Sequence, residues 1–239
     1  MIEVAGLTRY FGAATALSDV GFRVEPGEIV GFLGPNGAGK TTTMRMLTCT
    51  LPPSAGTARI AGHDVVEEPD AVRRRVGFMP ENVPLHPDVT VEELLRFVAD
   101  LKGVAPAGRA EHLEGILEST GLTDVRGRVV GHLSKGYRQR AGLAQALVGD
   151  PDILILDEPT SGLDPRQIVE IRHLVQGFAG SKTILLSSHI LAEVEAVCGR
   201  VLILDRGRLV ADVTLGEEDG ESLETLYLRE VVRGEGGAS

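Results

Sequence analysis

Apolar residues in this chain fall into short runs separated by stretches of helical spacing. Runs at Ile2–Leu7, near Ala16–Val24, Glu28–Leu33, Val76–Met79, Ile153–Leu156, Thr183–Ser187, Val201–Leu204 and Arg208–Val213 read as strands. Several are apolar without alternation, the pattern of strands covered on both faces and so of a mainly parallel sheet flanked by helices. Met44, Met46 and Leu47 give Thr41–Thr50 helical spacing, and Pro52-Pro53 ends it. Thr57–Met79 is otherwise mixed. From about Asn82 to Gly149 the pattern turns helical. Thr90 and Glu93 form a capping-box pair ahead of Leu94, Leu95 and Val98. Ala107–Thr120 reads as a helix closed by Gly121, and Ser134 as the N-cap of Lys135–Val148. Further helices are expected near Gln167–Phe178 and Leu191–Val197. Residues 216–239 are acidic and glycine-rich, with an amphipathic stretch at Leu223–Val232 and disorder expected at the very end.

The helical stretch thus interrupts an α/β core. No repeat is visible, so the organisation expected is one domain over 1–239: core 1–81 and 150–215, helical subdomain 82–149, tail 216–239. With 43% apolar and 24% charged residues the composition is soluble-globular. The formal charge of −10 and the absence of tryptophan argue against a nucleic-acid partner. Cys49 and Cys198 have no metal spacing and are expected to pack on apolar helix faces, in a reducing compartment. Neither a signal-peptide layout nor an apolar membrane span occurs, so the expected location is cytoplasmic.

Chemistry concentrates at strand ends. Gly34-Pro35-Asn36-Gly37-Ala38-Gly39-Lys40-Thr41, followed by Thr42, fits the phosphate-loop pattern GxxxxGK[ST] between a strand and a helix. Its glycines let backbone N–H groups approach phosphate oxygens, and the helix start adds partial positive charge. Lys40 is placed to contact the β- and γ-phosphates and Thr41 to ligate Mg²⁺. The strand Ile153–Leu156 ends in Asp157-Glu158. Asp157 suits the magnesium through water, and Glu158 can polarise a water for attack on the γ-phosphate. The fold class that follows is α/β: a P-loop NTPase core with a mainly parallel sheet, N-terminal antiparallel strands and an inserted α-helical subdomain.

On LSKGYRQR (Leu133–Arg140), ILILDEPTSGLD (Ile153–Asp164) and LLSSH (Leu185–His189), the chain resembles the ABC-type ATPases over nearly its whole length. The family's signature is LSGGQ, with Ser134 and Gly136 on its first two key positions. The resemblance implies that they bind the γ-phosphate held by an opposite subunit, in keeping with a serine-capped helix start. Lys135 and Tyr137 depart from the usual Gly and Gln, and Lys135 adds positive charge. Ser161-Gly162-Leu163-Asp164 corresponds to the loop crossing the dimer interface, and His189 to the histidine that contacts the γ-phosphate and orients water. The aromatic that stacks on adenine is best matched by Phe11, with Tyr10 the alternative. Glu81 stands where the family carries a glutamine, able to ligate magnesium but adding a charge near the γ-phosphate.

What this implies is an ATP-hydrolysing subunit that dimerises, with itself or a sibling, around two Mg-ATP. It would energise a separate integral-membrane permease from the inner face of the membrane. PENVPLHPDVTVEELL with LSKGYRQR resembles the exporter-associated branch. The permease is expected to dock beside Glu81, on Val83 and Leu85 between the stiffening Pro84 and Pro87. Other classes fit less well. DNA-repair relatives carry a long coiled coil, translation-factor relatives two cassettes, and small GTPases an Asn-Lys-x-Asp segment, none of which occurs. A non-hydrolysing switch would have no need of both Glu158 and His189.

Overall fold

The computed structural model describes residues 1–216 and 222–233. The expected disorder at the end of the tail lies outside them. Among them, β1 (Ile2–Phe11), β2 (Ala14–Val24), β4 (Ala55–Ile60) and β5 (His63–Asp64) are antiparallel. A second set comprises β3 (Ile29–Leu33), β6 (Val76–Met79), β7 (Ile153–Asp157), β8 (Thr183–Ser188), β9 (Arg200–Asp205) and β10 (Arg208–Thr214). The helices are α1 (Lys40–Leu47), α2 (Pro69–Arg75), α3 (Val91–Leu101), α4 (Arg109–Ser119), α5 (Lys135–Leu147), α6 (Pro165–Gln176), α7 (Leu191–Val197) and α8 (Leu223–Arg233). The first sheet runs β2-β1-β4-β5 and the second β10-β9-β3-β8-β7-β6. The second is parallel from β9 through β6, with β10 an antiparallel edge.

The unbroken apolar runs have a physical cause. Side chains alternate across a strand, so a strand between two cores must be apolar at every position. Ile153 and Ile155 of β7, with Val30 and Phe32 of β3, enter a core shared with the first sheet and α1. Leu154 and Leu156, with Leu33, Ile184 and Ile203, enter a second core shared with α3, α4 and α5. Both cores therefore meet at β7, where all five residues are buried.

Between β6 and β7 the chain forms α3, α4 and α5. The capping box opens α3 as expected, with Glu93 N donating to Thr90 Oγ1 at 3.2 Å and Thr90 N to Glu93 Oε2 at 2.8 Å. Ser134 caps α5 by accepting from Tyr137 N at 3.4 Å.

Some expectations change. β1 and β2 run to Phe11 and from Ala14, because hairpin pairing (Tyr10 with Thr15, Phe11 with Ala14) continues after the apolar signal stops. Helix α2 carries Val72 as its sole buried residue and three arginines in its last turn, so periodicity had nothing to report. Neither cysteine sits within a helix. Cys49 follows α1 at φ 55° and Cys198 closes α7 in extended conformation, buried against Gly31 of β3. Val83 and Leu85 are half-buried rather than offered outward, since both pack on the core of α3–α5 and Val83 sits on Gly142.

Candidate functional site

Strand β3 delivers the chain to Gly34, whose backbone presses so closely on β9 that a Cβ there would lie 2.2 Å from Leu204 O. Gly39 reaches α1 at φ 106°, a conformation open to glycine. The turn between β9 and β10 braces the loop from behind through Gly207 N to Ala38 O at 3.0 Å. A cleft of about 350 Å³ opens over this loop. It is lined by Ala16, by Pro35, Asn36, Gly37, Ala38, Gly39, Lys40, Thr41 and Thr42, and by Glu81, Glu158, Ser161 and His189. Gly34 lies behind it, on the strand side.

Lys40 is 6% exposed, and its Nζ donates to Gly34 O at 2.6 Å and Pro35 O at 3.3 Å while facing Glu158 Oε1 at 3.5 Å. The other oxygen of Glu158 meets His189 Nδ1 at 2.9 Å. An ionised carboxylate only accepts, so Nδ1 carries the proton in this contact and Nε2 is left free as an acceptor when the ring is neutral. Glu158 takes φ 49°, a left-handed conformation costing a non-glycine residue about 1 kcal/mol or more. It turns the chain sharply off β7, and Ser161 N closes the turn on Glu158 O at 3.0 Å.

Asp157, next to Glu158 at the end of β7, is fully buried and does not itself line the cleft. Its Oδ1 accepts from Ser187 Oγ at 2.7 Å, and the same hydroxyl accepts from Glu158 N at 2.9 Å. Its Oδ2 has no partner within the protein. A buried carboxylate oxygen without a donor is costly, and a hydrated divalent cation would satisfy it. Thr41, Asp157 and Glu81 offer oxygen only, which suits Mg²⁺. Among the described residues no group of three or more His, Cys, Asp or Glu could enclose a metal alone, so such an ion would share its coordination with phosphate oxygens and water.

The remaining expected residues lie apart. Ser134 and Gly136 line a separate depression of about 330 Å³ with Tyr137, Arg140, Asp164 and Gln167. Lys135 lies over the Ser161–Asp164 loop, where a Cβ on Gly162 would fall 2.0 Å from its Nζ. Phe11 is 49% exposed outside the cleft, with the Arg9 guanidinium 4.8 Å from its ring centroid, and Tyr10 is as exposed. Sequence reasoning missed Ser187, which ties Asp157 to Glu158. The signal was present in LLSSH but pointed at the histidine.

The family model for ABC transporter matches residues 17–161. The chain belongs to the ABC transporter family, as an ATP-binding and ATP-hydrolysing subunit. Among similar proteins, daunorubicin/doxorubicin resistance ATP-binding protein DrrA of Streptomyces peucetius is 38% identical across 90% of this chain. The chain spans 66% of that relative's length. Nod factor export ATP-binding protein I of Paraburkholderia xenovorans is 40% identical across 88% of this chain and 70% of its own. A solved ATP-binding subunit of an ABC transporter superposes with TM-score 0.86 at 34% identity, over 96% of this chain and 98% of its own. The dimeric bacterial ABC transporter cassette MJ0796 gives TM-score 0.82 at 25% identity, over 91% of this chain and 100% of its own. The ABC subunit described here shares with these cassettes a P-loop α/β core, and among its described residues no helix is long and apolar enough to cross a membrane.

Proposed function

We propose that this ABC ATPase binds Mg-ATP in the cleft over Gly34–Thr42, hydrolyses it there, and uses the cycle to drive export through a separate membrane permease. The observation that carries the reading is the unbroken chain Lys40–Glu158–His189 at 3.5 and 2.9 Å, next in sequence to Asp157 with its unpartnered oxygen. Lys40, now held by two loop carbonyls and Glu158, is released to the β- and γ-phosphates when the nucleotide enters. Thr41, Asp157 and Glu81 would hold Mg²⁺, which supplies neutralisation of phosphate charge. Glu158 takes a proton from water as its oxygen attacks the γ-phosphorus and the bond to the β-phosphate oxygen breaks, giving ADP and inorganic phosphate. His189, fixed through Nδ1 on Glu158, orients the water or γ-phosphate.

Ser134 and Gly136 lie outside this cleft, so in this reading they serve the nucleotide of a second cassette, identical or sibling. Phe11 would stack on adenine after Arg9 gives up its face. Residues 82–149 act as the arm that meets the permease at the inner face of the membrane. With Val83 and Leu85 packed inward, Phe97 and Leu101, exposed one turn apart on α3, are the apolar surface this arm has left. The names of the relatives support export, and the material exported is a property of the permease.

The test is Mg²⁺-dependent ATP hydrolysis by the full chain, alone and with its permease, before and after Lys40→Ala. Turnover should vanish without Mg²⁺ and in the variant. Full turnover in Lys40→Ala removes the central assignment.

A further inference from the structure

Glu193 is 4% exposed in the first turn of α7, four residues past His189. Its Oε2 accepts two hydroxyls, Thr160 Oγ1 at 2.5 Å and Ser188 Oγ at 3.1 Å. Thr160 lies in the turn that Glu158 begins, and Ser188 immediately precedes His189. Ser188 Oγ in turn accepts from Ile190 N at 3.0 Å, so the residues on both sides of His189 are pinned through one side chain. Glu193 Oε1 and Arg172 Nε of α6 are both buried without a partner in the protein, and both residues line one small cavity under Thr160. Side chains of opposite charge thus line the same small cavity.

We infer that Glu193 is a positioning residue for hydrolysis. Its carboxylate clamps the turn bearing Glu158 to the strand end bearing His189 and so holds the two in hydrogen-bond contact. The inference rests on the roles given to Glu158 and His189 above. It adds a residue that never touches nucleotide and acts through the geometry of those that do. Removing the carboxylate frees two hydroxyls on opposite sides of the 2.9 Å contact, and misplacement of a catalytic pair by a fraction of an ångström is expensive in rate.

The experiment measures kcat, KM and Mg-ATP affinity in the full chain for Glu193→Ala, Glu193→Gln and Thr160→Val, each alone and with His189→Ala. Glu193→Ala should lower kcat at least tenfold with KM and affinity within twofold of the parent. Glu193→Gln keeps an acceptor for both hydroxyls and should recover at least half of the loss. In the His189→Ala background, Glu193→Ala should cost less than a further twofold, because its effect passes through the histidine. Thr160→Val removes one arm of the clamp at nearly constant volume and should lower kcat three- to tenfold, giving a second reading should Glu193→Ala unfold. Losses that multiply in the double variants overturn the inference and leave the roles of Glu158 and His189 intact. Undiminished turnover in His189→Ala alone overturns both.

Discussion

Replacing Glu158 by glutamine isolates charge from shape. Volume and backbone are kept, and the amide oxygen can still accept from His189 or Lys40. What goes is the negative charge and the capacity to take a proton. Lys40 and Glu158 face each other at 3.5 Å with side chains 6% and 9% exposed. At an effective dielectric of about 20 their gross attraction is about 5 kcal/mol, and Lys40 must give up part of it to reach a phosphate. Without that competition the variant should bind Mg-ATP at least as tightly as the parent, with Kd equal or lower by up to about tenfold. Chemistry moves the other way, since losing a positioned general base costs about 10²–10⁴ in rate, or about 3–5 kcal/mol of transition-state stabilisation. Tight binding without turnover should accumulate an ATP-loaded dimer. Equilibrium binding of a fluorescent ATP analogue, phosphate release and size-exclusion chromatography with ATP measure the three quantities. A variant that binds more than tenfold more weakly, or turns over within threefold of the parent, refutes the reasoning.

Glu81 lines the cleft, so Glu81→Gln should stay active while Glu81→Ala loses much of the permease-coupled hydrolysis; equal rates in all three forms would make the residue a bystander. Thr90→Ala removes the hydroxyl that accepts from Glu93 N, while the backbone N–H at position 90 can still donate to Glu93, and should cost about 1 kcal/mol in urea unfolding with ATP affinity unchanged. Burial, aided by the Lys182 charge, pushes the Lys102 ammonium down to about 8 while its Nζ donates to Val148 O at 2.8 Å. A lysine depressed on folding lowers stability below its folded pKa, and that penalty lifts as pH rises towards its unfolded value near 10.5. The stability of Lys102→Met relative to the parent should therefore fall by about 2–2.5 kcal/mol between pH 7.5 and pH 10 in paired urea titrations; a constant difference would contradict it.

What the sequence revealed followed the strength of its physical signals. Strands β6 and β7 and helix α7 were legible to within a residue because continuous burial or firm boundaries leave no ambiguity in pattern. The α3 cap was legible because Thr90 and Glu93 serve each other locally. Helix α2 was not, since a single buried residue makes no periodicity. Val83 misled for a related reason: an apolar residue in a proline-rich loop looks exposed until Gly142, distant in sequence, provides a surface beneath it. At the site, Lys40, Thr41 and Glu158 could be named because their roles belong to motifs. Ser187 and Glu193 could not, because their work is to hold other residues, and contacts across β7, β8 and α7 leave no spacing to read. The left-handed turn at Glu158 was equally silent, since its residue type gives no hint of it.

The two crossings between the sheet and helices α3–α5 are built differently. Gly149 N donates to His112 Nε2 at 3.0 Å, Lys102 reaches Val148 O, and Lys182 holds Asp150 Oδ1 at 2.7 Å and Pro151 O at 2.9 Å. That crossing is moored from both banks, by helix side chains and by the strand. The other, from Pro80 to His86, carries Glu81 at the mouth of the cleft and one short bond of its own, Leu85 N to Val83 O at 2.9 Å. This second crossing is held to the helices by packing, through Val83 on Gly142 and the His86 ring on Phe97. A shift of the helices against the sheet would therefore pull on the cleft through Glu81.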